Sequence, residues 1–214
     1  LQKTVDFLES NNEYIGVSHL IEARDLEGNF LSRYPNASEI IGKDATTDLF
    51  LKGIYFSAVA TVFKNLFLDK TEDYSIIYKA HNSVGDLTIC MLLLDKGKIK
   101  VLNQTMSVYR YRNVKGESNY NSIKNAIEKY NDHIHIIRYL DNYFNHKYNF
   151  TDEYLRRTFD IVLYCIKDYK VKELYIIFSE LPLKMKLYFC AYLPVLSFKW
   201  LIKKFAFKKK QNVL

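Results

Sequence analysis

The feature that most constrains the fold is a change in hydrophobic period about halfway along the 214-residue chain. Up to about residue 112, alternating or continuous apolar runs typical of strands are interleaved with short helical patterns. From residue 119 onwards, every long segment has the helical period, over roughly 119–146, 152–168 and 171–180. Seven glycines and three prolines are too few for a turn-dense sandwich. We therefore expect an α/β fold in which an incomplete sheet layer is followed by an all-helical extension.

The first part of the chain predicts a definite order of elements. Asp44 or Thr46 is a candidate N-cap for a short helix, and Gly97 is expected to end a strongly apolar one. The predicted elements are a helix at 1–12, a hairpin over 14–33 that begins with a strand at 14–23, a helix at 44–52, a strand at 57–64, a helix at 87–94, and strands at 98–102 and 105–112. The regions expected from this order are 1–118, 119–180 and 181–214.

The three cysteines exclude a disulfide framework and a cysteine-ligated zinc site. Cys90, Cys165 and Cys190 are far apart, odd in number and without metal-ligand spacing. Each lies in an apolar run, as is typical of a buried thiol. We therefore expect all three to be core residues of a protein in a reducing compartment.

Positive charge is concentrated at the C-terminus. Residues 181–214 contain eight lysines and no acidic residue, whereas residues 1–180 contain 23 basic and 24 acidic residues. A nucleic-acid-binding domain usually carries its basic residues on a folded face, so we expect no nucleic-acid partner. A basic tail rich in aromatic residues favours an anionic membrane surface instead.

The tail has the composition of an interfacial helix. The apolar run 187–202 contains a proline and is shorter than the roughly 20 residues that a spanning helix needs. The residues expected to contact the membrane are Lys199, Trp200, Lys203, Lys204 and Phe205. We expect a peripheral protein on the cytoplasmic, inner face of the plasma membrane. The alternative is a C-terminal helix that docks on the sheet and leaves a solvated lysine tail.

Ordered sequence blocks over about residues 1–120 carry a family resemblance. The most distinctive are Val-Gly-Asp-Leu at 84–87, Leu-Leu-Asp-Lys-Gly-Lys-Ile at 93–99, and Asn-Gln-Thr-Met-Ser-Val-Tyr-Arg at 103–110. The segment 1–9 and the Val-Ala-Thr-Val-Phe-Lys block at 59–64 precede them. In this order the blocks resemble the second half of a family-2 glycosyltransferase with the GT-A fold, whose sheet is Rossmann-like.

The resemblance implies inverting transfer of a sugar from a nucleotide-sugar donor to an acceptor hydroxyl. A lipid-linked or saccharide acceptor in cell-surface polysaccharide or glycolipid biosynthesis is expected. In this family an Asp-x-Asp segment and its divalent metal (Mg or Mn) precede a segment like 1–9. We therefore expect the metal ligands upstream of Leu1, none in this chain, and no activity from the 214 residues alone.

Asp86 is the candidate catalytic base, because the resemblance places the family's acidic residue at the start of this helix. A base is needed to take the proton of the attacking hydroxyl. The alternative is that Asp86 caps the helix through its carboxylate. Gly85 before it is expected to let the acceptor approach closely. His81 either lines the acceptor pocket or is an exposed loop residue.

Arg110 and Arg112 are candidate ligands for the departing diphosphate. The family commonly has a histidine at the position of Arg112, so a fixed cation here replaces a possible metal ligand. The alternative is a strand end with solvated arginines. For the whole chain, the alternative from another class is a non-catalytic membrane-docking or scaffold module.

Overall fold

The computed structural model describes residues 1–68, 73–82, 84–111, 125–183, 186–187 and 190–191. The chain divides into two compact units, Leu1–Arg157 and Thr158–Leu214. A mixed sheet with several helices makes up most of the first unit, which confirms the predicted α/β class. The described part of the second unit is helical.

The elements follow the predicted order closely. The first unit contains α1 (Gln2–Ser10), β1 (Tyr14–Arg24), β2 (Phe30–Tyr34), β3 (Asp44–Ala45), α2 (Thr47–Leu51), a 3-10 turn (Ala58–Ala60), β4 (Thr61–Phe63), α3 (Ser75–Ala80), α4 (Asp86–Lys96), β5 (Lys98–Arg110) and α5 (Ala126–Tyr143). The helix α6 (Thr151–Lys167) begins in the first unit and ends in the second, which also contains α7 (Val171–Glu180).

The strand β1 is the centre of the sheet. It pairs in parallel with β5 along its whole length, and β2 and β4 pair antiparallel with its other edge. Tyr34 of β2 lies opposite Ile21, which confirms the predicted hairpin. The short β3 pairs antiparallel with the start of β5. Its apolar residues Val17 and Leu20 are buried, as is typical of a strand whose sheet has both faces covered.

Two strand predictions were wrong. The segments 98–102 and 105–112 form one strand, β5, since Leu102 pairs with His19 and Thr105 with Leu20 across a bulge. The polar Asn103 and Gln104 occupy that bulge, where the backbone stays extended although ladder pairing is interrupted. The predicted strand 57–64 is a strand only in its last part, because a 3-10 turn comes first.

Local signals located the helix ends more accurately. Thr46 caps α2 by accepting a hydrogen bond from the Leu49 N–H, as one of the two predictions had it. A capping box of Asn125 and Glu128 begins α5. The short helix α3 was not predicted, and the predicted helix start at 119 lies outside the described residues.

The core of the first unit is built around α4. This helix is apolar on nearly every face, and its residues Cys90 to Leu93 are at most 2% exposed. They form one cluster with sheet residues such as Val101 and with Leu140 of α5. A helix packed on several faces must be apolar all round, as the sequence 87–94 is. This packing fixes where α4 begins and thus where Asp86 lies.

The second unit has a small core and many exposed apolar residues. Val162, Cys165 and Ile177 are buried. The exposed apolar residues are Ile166, Tyr169, Val171, Tyr175, Ile176, Leu183 and Leu187. Cys90 and Cys165 are buried as expected, but the prediction for Cys190 was wrong, since it is exposed. Within the described residues, no helix is long and apolar enough to cross a membrane.

Candidate functional site

Asp86 is the first residue of α4 and does not cap it. Gly85 occupies the N-cap position, and no side chain accepts a capping hydrogen bond there. The interpretation of Asp86 as the N-cap is therefore wrong. Its carboxylate also has no hydrogen bond with any other residue that the structure describes. Asp86 therefore lies at a helix start, where a carboxylate usually caps the helix, but it makes no capping hydrogen bond.

Burial raises the pKa of the Asp86 carboxyl above that of an ordinary aspartate. The helix N-terminus favours the charged form and acts in the opposite direction. The residue is nevertheless exposed to solvent. Both observations hold for a carboxylate that has solvent on one side and closely surrounding protein on the other.

Tyr34 lies near Asp86, and Tyr55 lies near Tyr34. Tyr34 ends β2, and its pKa is raised by burial and further by the negative charges of groups nearby, Asp86 among them. Tyr55 precedes Phe56. The carbonyl oxygen of Phe56 lies 3.9 Å from the sulfur of Cys90, and Cys90 is one helical turn after Asp86. Burial also raises the pKa of Tyr55, to about 12. Both phenols therefore stay protonated at neutral pH, and the Tyr34 hydroxyl can donate a hydrogen bond to a sugar oxygen.

A buried carboxylate binds the Tyr55 hydroxyl. Glu153 of α6 is 2% exposed and accepts hydrogen bonds from Tyr55, Arg156 and Arg157. The Arg156 Nη2–Glu153 Oε2 distance is 2.7 Å, and the Arg157 Nε–Glu153 Oε1 distance is 2.8 Å. Both guanidinium groups lie about 6 Å from the Tyr55 ring centroid, within the range of a cation–π interaction. Three donors thus satisfy a charge that burial alone would disfavour.

Gly53 makes room for one of these arginines. Its φ is +81°, a left-handed conformation that favours glycine, and a Cβ here would collide with the Arg156 guanidinium. The cluster therefore depends on a glycine about 100 residues away in sequence as well as on Tyr55.

His81 contacts both the loop before Asp86 and the helix α5. Its Nε2 lies 3.2 Å from Asp132 Oδ1 on α5, and its Nδ1 accepts the Val84 N–H at 3.0 Å. Its side chain is 10% exposed, so the exposed-loop interpretation is wrong. Because Nδ1 is an acceptor, the proton of the neutral ring is on Nε2 and points to Asp132. His81 thereby ties the loop that leads into Asp86 to a neighbouring helix.

Gly85 also has a packing role. A Cβ at this position would lie 2.7 Å from Cγ2 of Ile77 on α3, which is too close for any side chain. Its φ of −95° is ordinary, so close packing rather than conformation requires glycine here.

Arg110 is not brought against Asp86 by any contact between described residues. It is exposed and pairs with Arg24 at the far end of β1 and β5. That pair lies three residues beyond Ile21, the partner of Tyr34, or about 10 Å further along the strand. Arg112 and the five predicted membrane-contact residues, Lys199, Trp200, Lys203, Lys204 and Phe205, lie outside the described residues.

Sequence reasoning missed Tyr34, Tyr55, Glu153, Arg156 and Arg157. Glu153 with basic residues three and four positions later is a recognisable helical ion-pair pattern, but nothing local distinguishes it from a solvated helix face. Among the described residues, no three metal-ligating side chains come together.

Comparison with known proteins leaves this site to be interpreted from its own geometry. No protein-family model, no curated protein sequence and no solved structure matches the chain.

Proposed function

We propose that this chain is the acceptor-side part of an inverting glycosyltransferase with the GT-A fold. It would transfer a sugar from a nucleotide-sugar to a hydroxyl group of a lipid-linked or saccharide acceptor. The observation that carries the proposal is the Asp86 carboxylate, which begins α4 without capping it and has a raised pKa near the phenol of Tyr34. The sequence blocks that resemble the family supply the reaction class.

In the proposed reaction, Asp86 accepts the proton of the acceptor hydroxyl as its oxygen attacks the anomeric carbon. The bond from that carbon to the nucleotide diphosphate breaks, and the diphosphate leaves with its electron pair. A raised pKa makes Asp86 a better proton acceptor than an ordinary aspartate. Tyr34 would donate a hydrogen bond to a hydroxyl group of the sugar.

The mixed sheet supports the fold part of the proposal at a coarse level. The parallel pair of β1 and β5 places α4 against the sheet with its first residue beside the end of β2. In open α/β sheets, ligands bind at such loop-rich edges. The part that binds the donor, with its Mg or Mn, is proposed to come from sequence that precedes Leu1.

The test compares the longer protein that includes sequence upstream of Leu1 with its Asp86→Asn variant. We expect transfer to fall by about 10²- to 10⁴-fold, as is typical of a lost general base. Asp48→Asn is the matched control, because Asp48 is an exposed acid in the first turn of α2, and it should leave the rate unchanged. Transfer at the full rate by Asp86→Asn would refute the proposal. The 214 residues alone should show no turnover of a nucleotide-sugar.

A second candidate function is docking to an anionic membrane, either for the transferase or as the sole role of a scaffold. It is favoured by the exposed apolar residues of the second unit, such as Tyr175 and Leu187, followed by the lysine-rich tail. Binding to phosphatidylserine vesicles should exceed binding to phosphatidylcholine vesicles, decrease with salt, and be lost when 199–210 is deleted. A pure scaffold would keep this binding, and Asp86→Asn would then change no reaction.

A further inference from the structure

Tyr169 occupies a turn position that usually belongs to glycine. At the end of α6, the Lys170 N–H donates to the Cys165 carbonyl at 2.8 Å, and the Tyr169 N–H donates to the Ile166 carbonyl at 3.4 Å. These two hydrogen bonds form the Schellman motif, in which the first residue after the helix adopts the left-handed conformation. Tyr169 does so, with a φ of +55°. Because a Cβ is crowded by the backbone in this conformation, glycine or asparagine is the usual residue.

The side chain of Tyr169 does not contribute to the packing of the second unit. It is 90% exposed and makes no hydrogen bond or ring contact with any other residue that the structure describes. Two further described residues other than glycine have a positive φ, Asn145 and His146, and both are of types that tolerate it. A strained backbone beneath a side chain that does not pack therefore indicates a contact outside this chain.

The residues around Tyr169 along the chain are also apolar and exposed. Ile166 precedes it in the last turn of α6. Val171 and Tyr175 follow it on α7, where a spacing of four places them on one face. Each of these side chains is at least half exposed. We call Ile166, Tyr169, Val171 and Tyr175 the corner surface. Single exposed apolar residues are ordinary, whereas a group of them marks a surface that binds a partner.

Lysines at the same corner favour a lipid bilayer as that partner. The segment 166–172 contains three lysines and one acidic residue, and the tail 181–214 contains eight lysines and no acidic residue. Tyrosine, aliphatic side chains and lysines together are typical of residues at the boundary between lipid headgroups and acyl chains. There the lysine stems lie along the apolar layer, while the amines remain with anionic headgroups.

We propose that the corner surface inserts into the headgroup region of an anionic bilayer, with Tyr169 as its leading side chain. This rests on the membrane-docking function proposed above and names the element that makes the contact. The lysine-rich tail supplies an attraction that salt screens. The corner surface supplies an apolar contact, which salt does not screen. The two contributions can therefore be measured separately.

The test is sedimentation of the 214-residue chain with vesicles of phosphatidylcholine and phosphatidylserine, for the native chain and for Tyr169→Gly. Glycine suits the left-handed backbone, so the melting temperature should stay the same or rise by up to about 4 °C. Vesicle binding should nevertheless weaken about tenfold, because an aromatic side chain contributes a large apolar area. The factor should be similar at low and at high salt. A tyrosine with a purely structural role would instead lower the melting temperature when replaced.

Two further variants separate the side chain from the backbone. Asn145→Gly is the matched control, because Asn145 is an exposed residue of the first unit with a φ of +49°, and its replacement should leave vesicle binding unchanged. Tyr169→Trp should preserve binding, since tryptophan is also favoured at membrane interfaces. Combined with Trp200→Phe, which removes the one native tryptophan, it places a single indole at the corner. Its fluorescence should shift to shorter wavelength when vesicles are added.

The outcomes distinguish this inference from the function on which it rests. Vesicle binding that is unchanged in Tyr169→Gly, or an indole at position 169 whose emission does not shift, would refute the inference alone. Failure of the native chain to bind anionic vesicles would refute the docking function as well. A dimer of the native chain that Tyr169→Gly dissociates would assign the corner surface to a second copy and overturn the proposal.

Discussion

The described residues of the second unit leave a larger share of their apolar side chains exposed than those of the first unit do, and the first unit contains the buried charged cluster. In the first, polar groups are buried and paired: Glu153 is 2% exposed and is surrounded by three donors. In the second, apolar groups are exposed, with Tyr169 at 90% and Tyr175 at 75%. A buried polar group costs free energy unless it is hydrogen-bonded, and a cluster of exposed apolar residues indicates a surface that another phase or molecule covers. On this difference rest our proposals of a polar ligand for the first unit and a membrane surface for the second.

Among the polar residues, the largest expected effect on stability comes from removing the buried carboxylate of Glu153 in the first unit. Glu153→Gln leaves two arginines and the Tyr55 hydroxyl without their common acceptor charge. We expect the free energy of unfolding to fall by about 2–3 kcal/mol, below the range for a fully buried pair because both guanidinium groups reach solvent. Denaturant unfolding measures it. Glu180→Gln, at the exposed end of α7, should change stability by less than about 0.5 kcal/mol, and equal effects would break the comparison.

The next effect is at His81, which we expect to act through the position of Asp86. His81→Ala removes the acceptor of the Val84 N–H and the partner of Asp132. We expect the free energy of unfolding to fall by about 1–2 kcal/mol. In the longer protein the transfer rate should fall while the KM for the acceptor changes little, because the loop rather than the ligand loses its contact. A KM increase at unchanged kcat would instead place His81 in the acceptor pocket, as the sequence suggested.

Asp86→Asn should have a smaller effect on stability, and of the opposite sign. Burial raises the pKa of Asp86 in the folded chain, so its protonated form is favoured there. The resulting stability is present below the unfolded-state pKa and is lost as the pH rises through the folded-state pKa. At neutral pH the charged side chain therefore opposes folding, and the neutral Asn variant should be more stable than the native chain.

The pH dependence provides the check. The gain from Asp86→Asn should disappear as the acidic pH range is entered, because the native carboxyl then also becomes neutral. A destabilised variant at pH 7 would mean that attraction to the N-terminus of α4 outweighs desolvation. A residue whose removal stabilises the fold but stops the reaction is typical of a functional site.

The smallest effect on stability is expected from replacing an exposed residue of the second unit. Tyr175→Ser replaces a side chain that is 75% exposed and should change the free energy of unfolding by less than about 0.5 kcal/mol. It should nevertheless weaken binding to phosphatidylserine vesicles. Ile177→Ala on the same helix is the contrast, because Ile177 is 5% exposed and its truncation should cost about 2–4 kcal/mol. If Tyr175→Ser binds the vesicles as tightly as the native chain does, the exposed apolar residue at this position does not contribute to docking.

Features that depend on residues close together in the sequence were predicted correctly from it. The apolar run 87–94 and the following Gly97 indicated α4, and the turn at 25–29 indicated the β1–β2 hairpin, because periodicity and turn chemistry report local energies. The same reasoning placed Asp86 at a helix start. It failed at Asn103 and Gln104, whose polarity suggested a strand end, since pairing with β1 across a bulge continues the strand regardless of local preference.

The amino-acid sequence by itself determined the α/β class, most helix positions, the candidate base and the basic tail. Only the tertiary structure decided what surrounds that base. Tyr55 and Glu153 are 98 residues apart, and His81 and Asp132 are brought together by the packing of separate elements. Contacts at such separations follow from the path of the chain through the core, and local propensity carries no record of that path. The Asp86 carboxylate could thus be found in the sequence, whereas Tyr34 near it and the cluster around Glu153 required the fold.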